Sequence, residues 1–252
     1  MNQSCPNLKL AASHGQMGQL QSDAIRDLAR RLERPLSILE AGCGQAWPID
    51  LTGVDFAITG IDLDPDALAL RLNKACDLNA AICADMCAAE LPEASFDVVF
   101  SGFVLEHVPR ADLALENLVK WLKPGGLLIL RLPERMTVKG FYTRVLPHWA
   151  HVWYYRYVCG SPFAGRPGYA PYPTYYHPVI GCKRLLGFLA RHGVKCLSCY
   201  ADPFRPGFSG LRNMIVSGIV RLTEILSLGY LSAEYSDIHY IAVKNDPALA
   251  QN

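Results

Sequence analysis

Two hydrophobic periods alternate along this chain. Residues 18–33 carry apolar side chains at 20, 24/25, 28/29 and 32, which is helical spacing, and Pro35 ends the segment. Strand-length apolar runs follow at 36–41, 56–62, 80–84, 96–101, 127–132, 194–200 and 238–243. Between them, Asp64-Pro65 reads as the cap and first residue of a helix over 65–75. A helix over 111–122 stops at Lys123-Pro-Gly-Gly126, and another covers 178–192. Only one helical turn, 48–54, fits between the first two strands. Strands alternating with helices predict a mostly parallel, open sheet with helices on both faces.

Two stretches break the alternation. Residues 134–177 are rich in Tyr, Trp, Pro, Gly and Arg and follow the fifth strand. Residues 203–236 precede the last strand and centre on an apolar segment, Leu211–Leu231, whose only charges are Arg212, Arg221 and Glu224. No internal repeat or low-complexity linker separates units. The chain therefore reads as one domain, 1–252, with a core at 18–133, an aromatic insertion and an amphipathic helical insertion.

The chemistry concentrates at strand ends. Glu40, Gly42, Cys43 and Gly44 close the first run, where glycines let a ligand approach the backbone without meeting a Cβ. Asp62 closes the second, placed to accept hydrogen bonds from ribose hydroxyls. The ordered set Ile38-Leu-Glu-Ala-Gly-Cys-Gly44, Gly60-Ile-Asp-Leu-Asp64, Asp85-Met86, the run from Phe96 to Val108, and Leu122-Lys-Pro-Gly-Gly-Leu-Leu128 resembles the class I S-adenosylmethionine-dependent methyltransferases of the type 11 kind.

The resemblance implies a Rossmann-like seven-stranded sheet and S-adenosyl-L-methionine as cofactor. It implies that Gly42 and Gly44 flank the methionine part, with Glu40 orienting the turn or meeting the ammonium through water. Asp62 would hold both ribose hydroxyls, Asp85 the adenine amino group, and Leu63 and Met86 the ring faces. Cys43 in the turn, and Ser101 in the segment that matches the fourth strand and the turn after it, would be further cofactor contacts. Two departures stand out: Ala46 replaces the family's third glycine, and Trp47-Pro48 follows. The dinucleotide fingerprint would need a glycine where Trp47 sits and a longer first helix for a pyrophosphate.

Charge and composition narrow the acceptor. Net charge is +1, so nothing suggests the basic stripe of a nucleic-acid binder. Ser101-Gly-Phe-Val also lacks the Asn/Asp-Pro-Pro-Tyr pattern of amino-methylating nucleic-acid enzymes. The nine cysteines lie in scattered apolar segments, which predicts reduced thiols in a cytoplasmic protein and no metal cluster. No leader pattern and no membrane-spanning run are apparent. Flat aromatic and proline side chains after the fifth strand suit a lid over an apolar acceptor, with Trp153, Tyr172, Tyr175 and His177 as substrate-facing candidates. Arg135, Arg144, Arg156 and Arg166 offer contacts to a phosphate or carboxylate.

His107 is the leading base candidate, ahead of His148, His151 and His177. The expected activity is methyl transfer to a small-molecule or lipid-like acceptor, foremost at oxygen. A small amine, an envelope sugar, or a non-catalytic scaffold role stay open as alternatives. For 211–231 the open readings are a buried helix, a substrate wall, a homodimer face or peripheral membrane contact.

Overall fold

A computed structural model describes residues 8–44, 46–166 and 169–246. Its eight-stranded sheet runs in the order β1-β7-β8-β6-β5-β2-β3-β4. The strands are β1 (Leu8–Leu10), β2 (Leu36–Ala41), β3 (Phe56–Asp62), β4 (Ala80–Cys83), β5 (Phe96–Gly102), β6 (Leu122–Pro133), β7 (Val194–Pro203) and β8 (Tyr235–Lys244). Only β8 is antiparallel to its neighbours, β6 and β7. Parallel pairing therefore gathers the carboxyl ends of β2 to β6 along one edge.

The expected seven strands become eight because Leu8–Leu10 pairs in parallel with Cys199–Ala201 at the sheet edge. Three residues are too few for a period to show. The expected turn of helix at 48–54 does not form. Ile49 and Leu51 instead anchor an irregular crossover in the core, and the Asp50 carbonyl accepts from Ser22 Oγ at 2.8 Å.

Alternation along the strands divides the core in two. Ile38, Ile58, Val98, Ile129 and Ile241 face α1 (His14–Leu32), meeting Ile25 and Leu28. Leu39, Ile61, Val99, Leu128 and Leu130 face the other way, toward α3 (Ala111–Trp121) and α6 (Cys182–Arg191). Each such fully buried Leu or Ile stabilises the fold by about 1.5–3 kcal/mol. The helix predicted at 65–75 is α2 (Pro65–Leu70) running into a π-turn at Arg71–Ala75.

The aromatic insertion folds as α4 (Val138–Val145) and α5 (His148–Trp153), which continues as a π-turn to Val158. The second insertion forms α7 (Gly210–Leu226). No helix among the described residues is long and apolar enough to cross a membrane. Uniformly reduced thiols are not what the structure has: Cys43, Cys76, Cys83, Cys87, Cys159, Cys196 and Cys199 are free, but Cys182 is held in a disulfide.

Candidate active site

The turn after β2 is built from behind by a residue that hydrophobic patterning passes over. Arg71 is wholly buried and points three ways. It meets Glu40 Oε2 at 2.7 Å and Asp77 Oδ1 at 2.6 Å, and donates to the Cys43 carbonyl inside the turn. Glu40 thus supports the loop from the protein side through Arg71. Burial raises its pKa against the pull of Arg71.

Gly42 has φ +74°, and a Cβ there would lie 2.3 Å from Val104 Cγ2. Gly44, at φ +50°, faces open space. The two glycines have different reasons: the first excludes any side chain, the second leaves room in front of the turn.

Asp62 closes the other wall. Its Oδ2 accepts from the Gly44 N–H and its Oδ1 from the Asp64 N–H, each at 3.0 Å. Each oxygen keeps a lone pair for a further donor. Leu63 next to it is 69% exposed, an apolar surface left open beside the carboxylate. Asp85 is exposed, with Oδ1 accepting from the Cys87 N–H at 2.8 Å. Met86 is buried in the core, and its carbonyl accepts from Asn117. Ser101, near the end of β5, is buried with no partner for its Oγ among the described residues. Trp47 is half-buried against the core and packs edge-on to Phe100 at 5.4 Å.

On the α1 face, the layer beyond the apolar strand residues is polar. Arg131 follows Ile129 on β6, is buried, and stands 5.0 Å over the Phe100 ring. Its Nε donates to Gln21 Oε1 at 3.0 Å, and no carboxylate is in ion-pair contact with it among the described residues. Burial lowers its pKa to about 10. Sequence reading missed Gln21 and Arg131 because a lone polar residue in a helix or strand reads as solvent-facing.

A second cluster sits beyond β5. His107 Nδ1 is 2.7 Å from the Pro173 carbonyl. A carbonyl only accepts, so Nδ1 carries the proton and Nε2 is the free lone pair of the neutral ring. Burial lowers the His107 pKa, which favours that neutral form. Glu106 Oε1 lies 3.8 Å from His107 Nε2. Glu106 is buried, its Oε2 has no hydrogen-bond partner among the described residues, and burial raises its pKa to about 8, with nearby Asp237 adding to the rise. Sequence reading singled out His107 and overlooked this neighbour; the adjacent acidic residue was the available signal.

The segment 172–176 lies across this cluster. The Tyr175 and Tyr176 N–H groups both donate to the Glu106 carbonyl, at 2.8 and 3.2 Å. The Tyr172 ring sits edge-on to His107 at 5.8 Å. Burial and then the charges of Asp64 and Asp62 raise the Tyr172 pKa. The other substrate-facing candidates separate. Tyr175 contributes its backbone while its side chain is exposed. His177 accepts from the Val179 N–H and lies 3.7 Å from Asp112, a helix-start role. Trp153 stands on α5 against Tyr157, with no contact to His107 or Tyr172 among the described residues. His148 is on α5, and His151 reaches back to the Leu146 carbonyl.

A parallel sheet that gathers a glycine turn and acceptor carboxylates at its carboxyl edge defines a nucleoside-cofactor-binding α/β protein. Residues 39–130 match the methyltransferase-domain family. Phosphoethanolamine N-methyltransferase 1 of Arabidopsis thaliana is 29% identical over 104 residues, 37% of this chain and 20% of that protein. The 2-methyl-6-phytyl-1,4-hydroquinone methyltransferase of a Synechocystis strain is 28% identical over 129 residues, 46% of this chain and 40% of that protein. Among solved structures, the [4+2]-cyclase SpnF superposes with a TM-score of 0.57 at 18% identity, covering 93% of this chain and 83% of that one.

Over residues 39–130, little more than a third of its length, the chain is similar to methyltransferase domains, and that likeness points to S-adenosyl-L-methionine as the cofactor. The site fits that molecule: a turn with space before Gly44, spare lone pairs on Asp62, and open apolar surface at Leu63. The chain spans less than half the length of these two curated relatives, so what it methylates is a matter for proposal.

Proposed function

We propose that this protein methylates an oxygen of a small-molecule or lipid-like acceptor held between the Asp62 wall and the 172–176 segment, with His107 as general base. The observation that carries the reading is the His107–Pro173 hydrogen bond. It fixes the proton on Nδ1 and leaves Nε2 basic, beside the buried Glu106. A hydroxyl lying alongside this pair reaches both: it donates its proton to Nε2 while the neutral Glu106 carboxyl steadies its oxygen. The sulfonium of S-adenosyl-L-methionine supplies an activated methyl group. The protein's part is to align the acceptor, remove its proton and exclude water, and the Tyr172 ring and the segment behind it supply the cover.

For the cofactor, Asp62 holds the ribose hydroxyls, Gly42 to Gly44 border the methionine part, and Asp85 and Leu63 border the adenine. Arg131, a buried cation without a carboxylate partner, takes the cofactor's carboxylate. A second reading, methylation of a small amine, has one observation in its favour. Glu106 ionised would hold an ammonium group, and the Arabidopsis relative is named for an amine acceptor.

Calorimetry with S-adenosyl-L-methionine tests the first half: the intact chain binds and Asp62→Ala loses at least about tenfold, the worth of a charge-assisted hydrogen-bond pair. No binding by the intact chain sinks the proposal. Tritium transfer from labelled cofactor into fractionated extracts, followed by analysis of the product linkage, tests the second. An ether or ester supports oxygen, and an N-methyl product replaces this reading with the second.

A further inference from the structure

The helix α7 is mounted inside out. At about 100° per residue, Leu211, Met214, Ile215, Ile219, Leu222, Ile225 and Leu226 fall on one arc of about 140°. All seven are exposed, Leu211 by 71% and Leu226 by 74%. The opposite side, with Asn213, Val216, Val220, Thr223 and Glu224, is the half-buried one against the body. No residue of α7 is buried. An amphipathic helix ordinarily turns its apolar stripe to the core. Here the stripe is the part given to the surroundings, so burial in the fold, the plainest expectation for 211–231, does not describe it.

The stripe has flanks. By the same angular count Arg212 lies just past one edge of the arc and Arg221 just past the other, both exposed. The helix is tied to the aromatic insertion by Tyr142 Oη to Thr223 Oγ1 at 2.8 Å and by Arg212 to the Val158 carbonyl at 3.5 Å. That insertion exposes Trp149 by 73%, together with Trp153 and Tyr157. Residues 134–177 and 203–236 together hold eight Lys and Arg against three Glu, a net +5 that leaves −4 on the rest of a chain of total +1. Of the three glutamates, Glu134 is buried and Glu224 is paired with Arg221.

We propose that the α7 stripe, with the α5 tryptophans, docks on an anionic lipid surface. An aliphatic stripe edged by arginines suits a helix lying in the plane of the headgroups, its apolar side chains in the acyl boundary and its guanidinium groups at the phosphates. Exposed Trp and Tyr belong at the same depth. The cationic excess confined to the two insertions turns this face, and not the acidic body, toward an anionic leaflet. With no crossing helix among the described residues, the contact is peripheral. The inference holds whether or not the methyl acceptor is a lipid.

Vesicle flotation of the intact chain tests it, using phosphatidylcholine alone and phosphatidylcholine with about a third phosphatidylglycerol. The expected result is flotation with the anionic vesicles that weakens as salt is raised. Ile215→Glu/Leu222→Glu should reduce partitioning by tenfold or more, on the order of two lost apolar side chains. Charge reversal at Arg212 and Arg221 should reduce it several-fold on anionic vesicles only. Calorimetry with S-adenosyl-L-methionine shows that both variants are folded, because α7 supplies nothing to the cofactor site. No flotation with anionic vesicles overturns the proposal, and so does equal flotation with both compositions. A dimer in sedimentation velocity that Ile215→Glu/Leu222→Glu dissociates, without vesicle binding, assigns the stripe to a second copy instead. Failure of the intact chain to bind the cofactor would overturn the proposed function and leave the flotation result standing.

Discussion

Glu106→Gln isolates the energetic consequence of keeping a carboxyl group away from water beside a base. Glu106 is 4% exposed, its Oε2 lacks a partner among the described residues, and burial raises its pKa to about 8. In the unfolded chain the same group titrates at about 4.3. Between those values the native state holds a proton that the unfolded chain has released, so stability falls as pH rises through the window. Each unit is worth about 1.4 kcal/mol, which amounts to about 2–4 kcal/mol of lost stability by pH 7. Glutamine keeps the shape and does not titrate. The variant should therefore match the parent at about pH 4 and outlast it increasingly up to about pH 8, beyond which the gain levels off. Urea unfolding followed by tryptophan fluorescence, repeated across that range, gives the profile directly. Parallel profiles for the two proteins, or a variant less stable at neutral pH, would refute the reasoning. Methyl transfer should fall in the same variant even as it becomes more stable, because the carboxyl beside His107 Nε2 is gone.

The other expectations concern the base and the turn. His107→Gln should lower kcat by about 10²–10⁴ without weakening cofactor binding, and the parent's acid limb should lie below the ordinary histidine value of about 6.5, because burial lowers this pKa. Gly42→Ala places a Cβ against Val104 as well as straining a φ of +74°. It should cost about 2–4 kcal/mol in thermal or urea unfolding, part of which Val104→Ala returns. Arg71→Met leaves Glu40 buried without its cation, a loss of about 3–5 kcal/mol, and Arg71→Met/Glu40→Gln should be markedly more stable than Arg71→Met alone.

The strand-ending glycines and Asp62 were legible because backbone freedom and a fixed acidic position leave local marks. The open, mostly parallel sheet followed from alternation and from the general rules of parallel connection, while the order of its strands and the short edge strand Leu8–Leu10 did not. Arg71, Arg131 and Gln21 left no such mark. Each is a polar residue whose burial depends on partners far along the chain, as Arg131 and Gln21 show at a separation of 110 residues. Glu106 was hidden differently: its neighbour His107 looked like the reactive group, while the cover that buries Glu106 comes from residues near 175. The period of α7 was readable and its direction was not, because a stripe at helical spacing says that a face is apolar, not what it meets.

The contact between Pro173 and His107 joins two events that could have been separate. The carbonyl that closes the segment over the cleft is also the group that decides which imidazole nitrogen keeps its hydrogen. Any displacement of that segment would remove this constraint on the ring together with the two N–H groups bound to the Glu106 carbonyl. On the proposed reading, covering the acceptor and preparing His107 as its base would therefore be one act.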